Sequence, residues 1–94
     1  MLIIAGTLTV AAADRDAYVR DCVVAVEAAR AHRGCLDFSV SADPVDPGRI
    51  NVYERWDNEA DLLTFRGSGP DQDQTGQILD ADVKRYVISD IQDP

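Results

Sequence analysis

The chain has 94 residues, 46% apolar and 28% charged, the composition of an ordinary globular domain. Nine basic residues against seventeen acidic ones leave a net charge of −8. That excludes nucleic acid and anionic membrane surfaces as natural partners, because both are held by basic patches.

The first apolar run, Met1 to Ala5, is far shorter than the roughly 20 residues that span a bilayer. No basic start precedes it, since Arg15 is the first cation in the sequence. The expectation is one cytoplasmic domain over residues 1–94. Cys22 and Cys35 are too few for a disulfide scaffold, and with His32 as the only histidine a His-based metal site is not expected.

In chain order, Leu2 to Val10 is apolar and β-rich with no helical period, which predicts a strand. Asp14 reads as an N-cap. Tyr18, Val19, Cys22, Val23, Val26 and Ala29 recur at three and four, predicting one helix over residues 15–33. Its charged residues, Arg15 and Arg30 among them, fall on the solvent side. Gly34 stops it. Cys35 to Ala42 alternates, with Leu36, Phe38 and Val40 inward. Asp43 to Gly48 carries two prolines and a glycine, a turn composition. Arg49 to Trp56 alternates again, so the two strands form a hairpin.

Asn58 is a second N-cap, opening a short helix over Leu62, Leu63 and Phe65 that Gly67, Gly69 and Pro70 end. Residues 71–79 read as a weak helical turn or loop, and residues 83–91 as a fourth strand. The order, strand-helix-strand-strand-helix-strand, is the ferredoxin-like arrangement: a four-stranded antiparallel sheet with helices on one face. The first and fourth strands are apolar on both sides, so the uncovered face wants a second layer. A second copy is the simplest supplier, predicting a homodimer through the sheet.

Three segments carry a family resemblance: Arg33-Gly34-Cys35, then Tyr53-Glu54-Arg55-Trp56, then Asp57-Asn58-Glu59-Ala60. With the Asp43 to Gly48 hairpin and Phe65 nine residues past the tryptophan, the chain resembles the antibiotic biosynthesis monooxygenase family. The resemblance implies a dimeric α/β barrel of ferredoxin-like protomers. It also implies oxidation of a quinol or polycyclic phenol by O2 without metal, flavin or other cofactor, with a small aromatic molecule as ligand.

The sequence departs from the family at several positions. It has Val52 where aromatic oxygenases of the family carry Asn, Leu62 near a family Tyr, and Phe65 where quinol-oxidase-like relatives carry His. No histidine follows Phe65, which disfavours the haem-degrading branch. The alternative is a non-catalytic module that binds an aromatic ligand, or a domain whose dimer is its function.

Trp56 shares a strand face with Ile50, Val52 and Glu54 by the two-residue period. It reads either as the wall of a substrate pocket or as a core aromatic. Glu54 on that face is either a base whose pKa burial raises, or half of an ion pair with Arg33, Arg55 or Arg85, the simpler account. The expected pocket is walled by Trp56, Val52, Leu62 and Phe65, with Phe38 and Tyr86 adding aromatic surface there or in the core and dimer interface. Arg66 and Ser68 stand at its mouth, where Arg66 would hold an anionic substrate. His32 reads as a solvated or capping residue at a helix end, and only secondarily as catalytic.

Overall fold

The computed structural model describes residues 1–68 and 76–94, leaving aside the side chain of Ser68. Its elements are β1 (Leu2–Val10), α1 (Arg15–Asp21), α2 (Val23–Ala31), β2 (Cys35–Ala42), β3 (Arg49–Trp56), α3 (Glu59–Ser68) and β4 (Ile78–Val87). The strands form one sheet in the order β2-β3-β1-β4, with every pair antiparallel. This is the ferredoxin-like fold that the element order predicts.

The register fixes which residues share a face. Leu2 pairs with Trp56, Ile4 with Glu54, Gly6 with Val52 and Leu8 with Ile50. Across the hairpin Phe38 pairs with Glu54 and Val40 with Val52. These residues face the helices. Ile3, Ala5, Tyr53, Arg55, Lys84 and Tyr86 occupy the opposite face. That outer face is more polar than expected, because Asp82 and Lys84 interrupt its apolar residues.

Two buried clusters sit between sheet and helices. Leu2, Ile4, Ala29, Phe38, Trp56, Leu62 and Phe65 form the first. Val10, Tyr18 and Ile50 form the second, and half-buried Val40 touches both. Trp56, Ile50 and Leu62 are wholly buried. Side chains of this size contribute roughly 1.5–3 kcal/mol each through lost water contact.

Several local expectations change. The predicted single helix is two segments meeting at Cys22, whose N–H donates to both Tyr18 O and Val19 O. The ladder then resumes with Val26 N–H to Cys22 O, and Tyr18, Val19, Cys22, Val26 and Ala29 keep the apolar stripe while Val23 turns out to solvent. Asp14 precedes α1 but makes no side-chain cap. Leu36 is exposed because the β2–β3 register slips between Cys35 and Asp37, turning Cys35 inward in its place.

The fourth strand starts at Ile78 and ends at Val87, with Ile91 beyond it. Asp80 and Asp82 fit a strand because they lie on the outer face, opposite Thr9 and Thr7. Gly67 lies inside α3 rather than ending it. Gly69, Pro70 and the expected turn over residues 71–75 fall outside the described residues.

Arg15 turns back from solvent, whereas Arg30 stays exposed as expected, and both side chains bind backbone carbonyls. Arg15 donates through Nη1 to the carbonyls of Asp43, Asp46 and Arg49 at 3.0, 2.8 and 3.4 Å, clamping the hairpin to α1. Arg30 donates through Nε to Phe38 O at 2.8 Å, occupying an edge carbonyl of β2.

The hairpin turn is organised by Asp43. Its carboxylate accepts the N–H groups of Val45 and Asp46 and the amide of Asn51. These bonds stabilise the charged form and hold its pKa at about 2. A depressed folded-state pKa contributes stability that is complete above the ordinary value and fades as pH falls through the folded one. Unfolding free energy is therefore expected to fall between pH about 4 and about 2. Asp43→Asn should flatten that slope in acid denaturation series, and an unchanged slope would contradict it.

Candidate functional site

The site lies where the chain reverses between α2 and β2. Gly34 has φ +83°, a conformation that only glycine adopts without strain. The Asp61 side chain fills the place where a Cβ would stand. Cys35 N–H donates to His32 O, and Asp57 N–H donates to Gly34 O at 2.8 Å. The turn is thereby pinned to the end of β3 and the start of α3.

Asn58 completes the arrangement. Its Oδ1 accepts the Asp61 N–H and its Nδ2 donates to the Asp61 carboxylate, both at 2.8 Å. The first is the N-cap that the sequence placed at Asn58; the second ties the two side chains together.

Four rings meet there. Trp56 lies 5.5 Å from Phe65 between centroids, tilted by 35°. His32 meets Trp56 at 5.9 Å and Phe65 at 5.5 Å, both edge to face. Phe38 meets Phe65 at 5.9 Å. The sequence reading placed His32 at a helix end, where it is the C-cap of α2, but did not bring it against these rings. Its signal was position, two residues ahead of the glycine turn that folds it back onto Trp56.

Glu54 stands beside the cluster. Its Oε1 accepts the Trp56 indole N–H at 3.0 Å. Burial pushes its pKa up, opposed by the Trp56 hydrogen bond and the positive charge of Arg66. The expected ion pair with Arg33, Arg55 or Arg85 does not form. Arg85 lies 3.7 Å from Glu59 instead. Arg55 alternates to the outer face, where its Nε is buried without a hydrogen-bond partner. Among the described residues no cation approaches the Glu54 carboxylate within ion-pair distance.

The remaining expected residues divide. Trp56, Leu62, Phe65 and Phe38 come together in one buried cluster. Val52 is half-buried next to Glu54 on the same face. Arg66 is exposed, and its charge acts on Glu54. Tyr86 does not join them: it pairs with Ile3 on the outer face, half-exposed. The strand period separates it from Trp56 by the thickness of the sheet.

A cavity of about 450 Å³ opens beside Arg30, Cys35, Leu36 and Asp37. Another of about 260 Å³ lies on the outer face between Ile3, Arg55 and Ile91. Neither is lined by Trp56 or Glu54. Cys35 donates weakly to Asp37 O, and burial raises its thiol pKa, so it is a packed thiol rather than a nucleophile. Among the described residues no group of three or more His, Cys, Asp or Glu side chains is placed to hold a metal ion. No helix among them is long and apolar enough to cross a membrane.

A ferredoxin-like sheet with a Glu-x-Trp strand end facing two helices defines the class. The family profile of the antibiotic biosynthesis monooxygenases matches residues 1–74, and the chain belongs to that family. Solved structures agree on the fold. A candidate monooxygenase of this family from Deinococcus radiodurans is 24% identical, with TM-score 0.80 over 100% of this chain and 98% of that one. Another from Nitrosomonas europaea is 16% identical, with TM-score 0.75 over 95% and 99%. A haem-degrader from Mycobacterium tuberculosis, solved with two haems in its active site, is 13% identical, with TM-score 0.67 over 98% and 100%. No curated protein sequence matches the chain.

Proposed function

We propose that this chain is a cofactor-independent monooxygenase that oxidises a quinol or polycyclic phenol with O2. One observation carries the reading: Glu54, on the helix-facing side of the sheet, has no cationic partner within ion-pair distance among the described residues, is bound to the Trp56 indole, and has a raised pKa. A carboxyl shifted toward neutrality and set among aromatic rings suits proton removal from a phenol.

The reaction balances without a reductant. Glu54 takes the hydroxyl proton, and the electron-rich phenolate adds O2 at a ring carbon bearing hydrogen. The O–O bond then breaks, that carbon loses its proton and becomes a carbonyl, and the second oxygen leaves as water. Phenol plus O2 thus gives quinone plus water, and all four electrons come from the substrate. The protein supplies orientation and a proton acceptor. Trp56, Phe65, Leu62, Val52 and Phe38 wall the ring's binding place, and Arg66 attracts the anion. A haem reading has less support, since no histidine follows Phe65.

The active form in this reading is a homodimer packed through the outer face, supported by Ile3, Ala5, Tyr53 and Tyr86 lying there. The apolar Val52 and Phe65 favour a second reading, an aromatic-binding module without chemistry, and the wholly buried Trp56 and Leu62 favour a domain whose dimer is its function.

The test is 1,4-naphthohydroquinone under ¹⁸O₂, on a preparation whose sedimentation mass is also measured. The expected product is a hydroxyquinone carrying one ¹⁸O, without hydrogen peroxide, formed by a dimer. Glu54→Gln should lower the rate by about 100-fold. Saturable binding without label in the product sinks the enzyme reading and leaves the binding module. A monomer sinks the dimer.

A further inference from the structure

We infer that the outer face of the sheet holds a second ligand site, in which Arg55 binds the carboxylate of a small monoacid and aliphatic side chains hold its hydrocarbon body. The inference is independent of the chemistry proposed at Glu54.

Arg55 is unmatched. The ladder sets it opposite Ile3 on one side and Asp37 on the other. The residue is half-buried, and its buried Nε has no hydrogen-bond partner among the described residues. A desolvated donor on a permanently charged group costs free energy until an acceptor meets it. The acids that neighbour Arg55 by register or by cavity are committed elsewhere. Asp37 Oδ1 accepts the Phe38 N–H at 2.8 Å. Asp90 accepts the Ile91 N–H and the Gln92 amide, both at 2.9 Å.

The cavity that Arg55 lines has walls to match, and its volume is about 260 Å³. Met1 and Ile3 line it from β1 and its start, and Ile88 and Ile91 from the C-terminal segment. Ile88 N–H donates to Met1 O at 3.1 Å, which ties that segment to the sheet. One guanidinium among aliphatic walls selects an anionic head on an apolar body. Asp90 lines the same space, so the single cation there balances one negative charge, which suits a carboxylate rather than a phosphate dianion. The volume suits a chain of roughly eight carbons. The recess is walled by one protomer's own residues and exists without a partner. A partner's side chain is nevertheless the rival occupant, since the dimer proposed above uses the same face.

The probes are octanoate and octanamide, which differ in charge but hardly in shape. Binding is read by calorimetry and located by the methyl NMR signals of Ile3, Ile88 and Ile91, with sedimentation run in parallel. The wild-type chain is expected to bind octanoate with a Kd of about 0.1 mM, and octanamide about tenfold more weakly. Arg55→Gln removes a group whose Nε no described residue accepts from, so the fold should stand. It should bring the two affinities together by weakening octanoate alone, whereas Ile91→Ser should weaken both. Equal affinities in the wild-type chain, or a preference that survives Arg55→Gln, overturn the inference. Octanoate that shifts the Trp56 indole signal and none of the three isoleucines overturns it too, by placing the acid beside Glu54. Binding by the monomer with none by the dimer gives the recess to the partner, and no binding by either leaves Arg55 without a ligand; both overturn the site.

Discussion

Replacing Gly6 by Ala is expected to lower the unfolding free energy by about 3 kcal/mol, while the same change at Gly67 raises it by roughly 0.5–1 kcal/mol. Gly6 lies mid-strand in β1, paired with Val52 on one side and Val83 on the other. A Cβ there collides with the Asp82 carbonyl and the Val83 Cα. Those are backbone atoms of a paired strand, so no side chain can rotate away and β4 itself must move. Gly67 sits in α3, and among the described residues nothing lies within 4 Å of where a Cβ would stand. There alanine only reduces the freedom of the unfolded chain and favours the helix. Urea titrations of the two variants should move in opposite directions with unchanged slopes. A Gly6→Ala midpoint equal to that of the parent would mean that β4 yields at no cost. The collision also bears on the site, since Gly6 is two residues along β1 from Ile4, the strand partner of Glu54.

The sequence made legible whatever local period and turn chemistry control. The alternation of Arg49 to Trp56 placed Glu54 and Trp56 on one face, and the ladder keeps them there. Asn58 announced a cap because an amide side chain ahead of an apolar helix has few other uses. Asp80 and Asp82 concealed the start of β4, because acids look like loop until the sheet supplies a solvent-facing side.

Leu36 and Cys35 exchanged places because a bulge adds a residue without changing the composition. The carbonyl bonds of Arg15 and Arg30 were missed for a related reason. Their helix face does point outward, but long side chains reach back to carbonyls that only the hairpin and the β2 edge bring near. The site was half legible on the same principle. Glu54, Trp56 and Phe65 follow from strand and helix periods, whereas the contact of His32 with them depends on the Gly34 reversal, a tertiary event.

Trp56 separates packing from chemistry. Trp56→Ala is expected to cost about 3–5 kcal/mol, because it empties the centre of the larger cluster and strips His32 and Phe65 of their shared neighbour. Against the roughly 5–15 kcal/mol that holds a small domain folded, that change removes a large share of the stability. Trp56→Phe should keep most of the packing, while removing the N–H that stabilises the Glu54 carboxylate.

The consequence for pH has a definite sign. With a folded-state pKa above the unfolded one, the native chain holds a proton that the unfolded chain has already released. Stability therefore falls as pH rises from the ordinary glutamate value, about 4.3, to the raised one. In Trp56→Phe the descent extends to higher pH, because the bond that opposed burial is gone. Glu54→Gln should abolish that descent altogether. Chemical denaturation across pH 4 to 8 resolves the three curves. If Trp56→Phe and the parent descend over the same window, the indole does not tune Glu54, and the carboxyl's raised pKa belongs to burial alone.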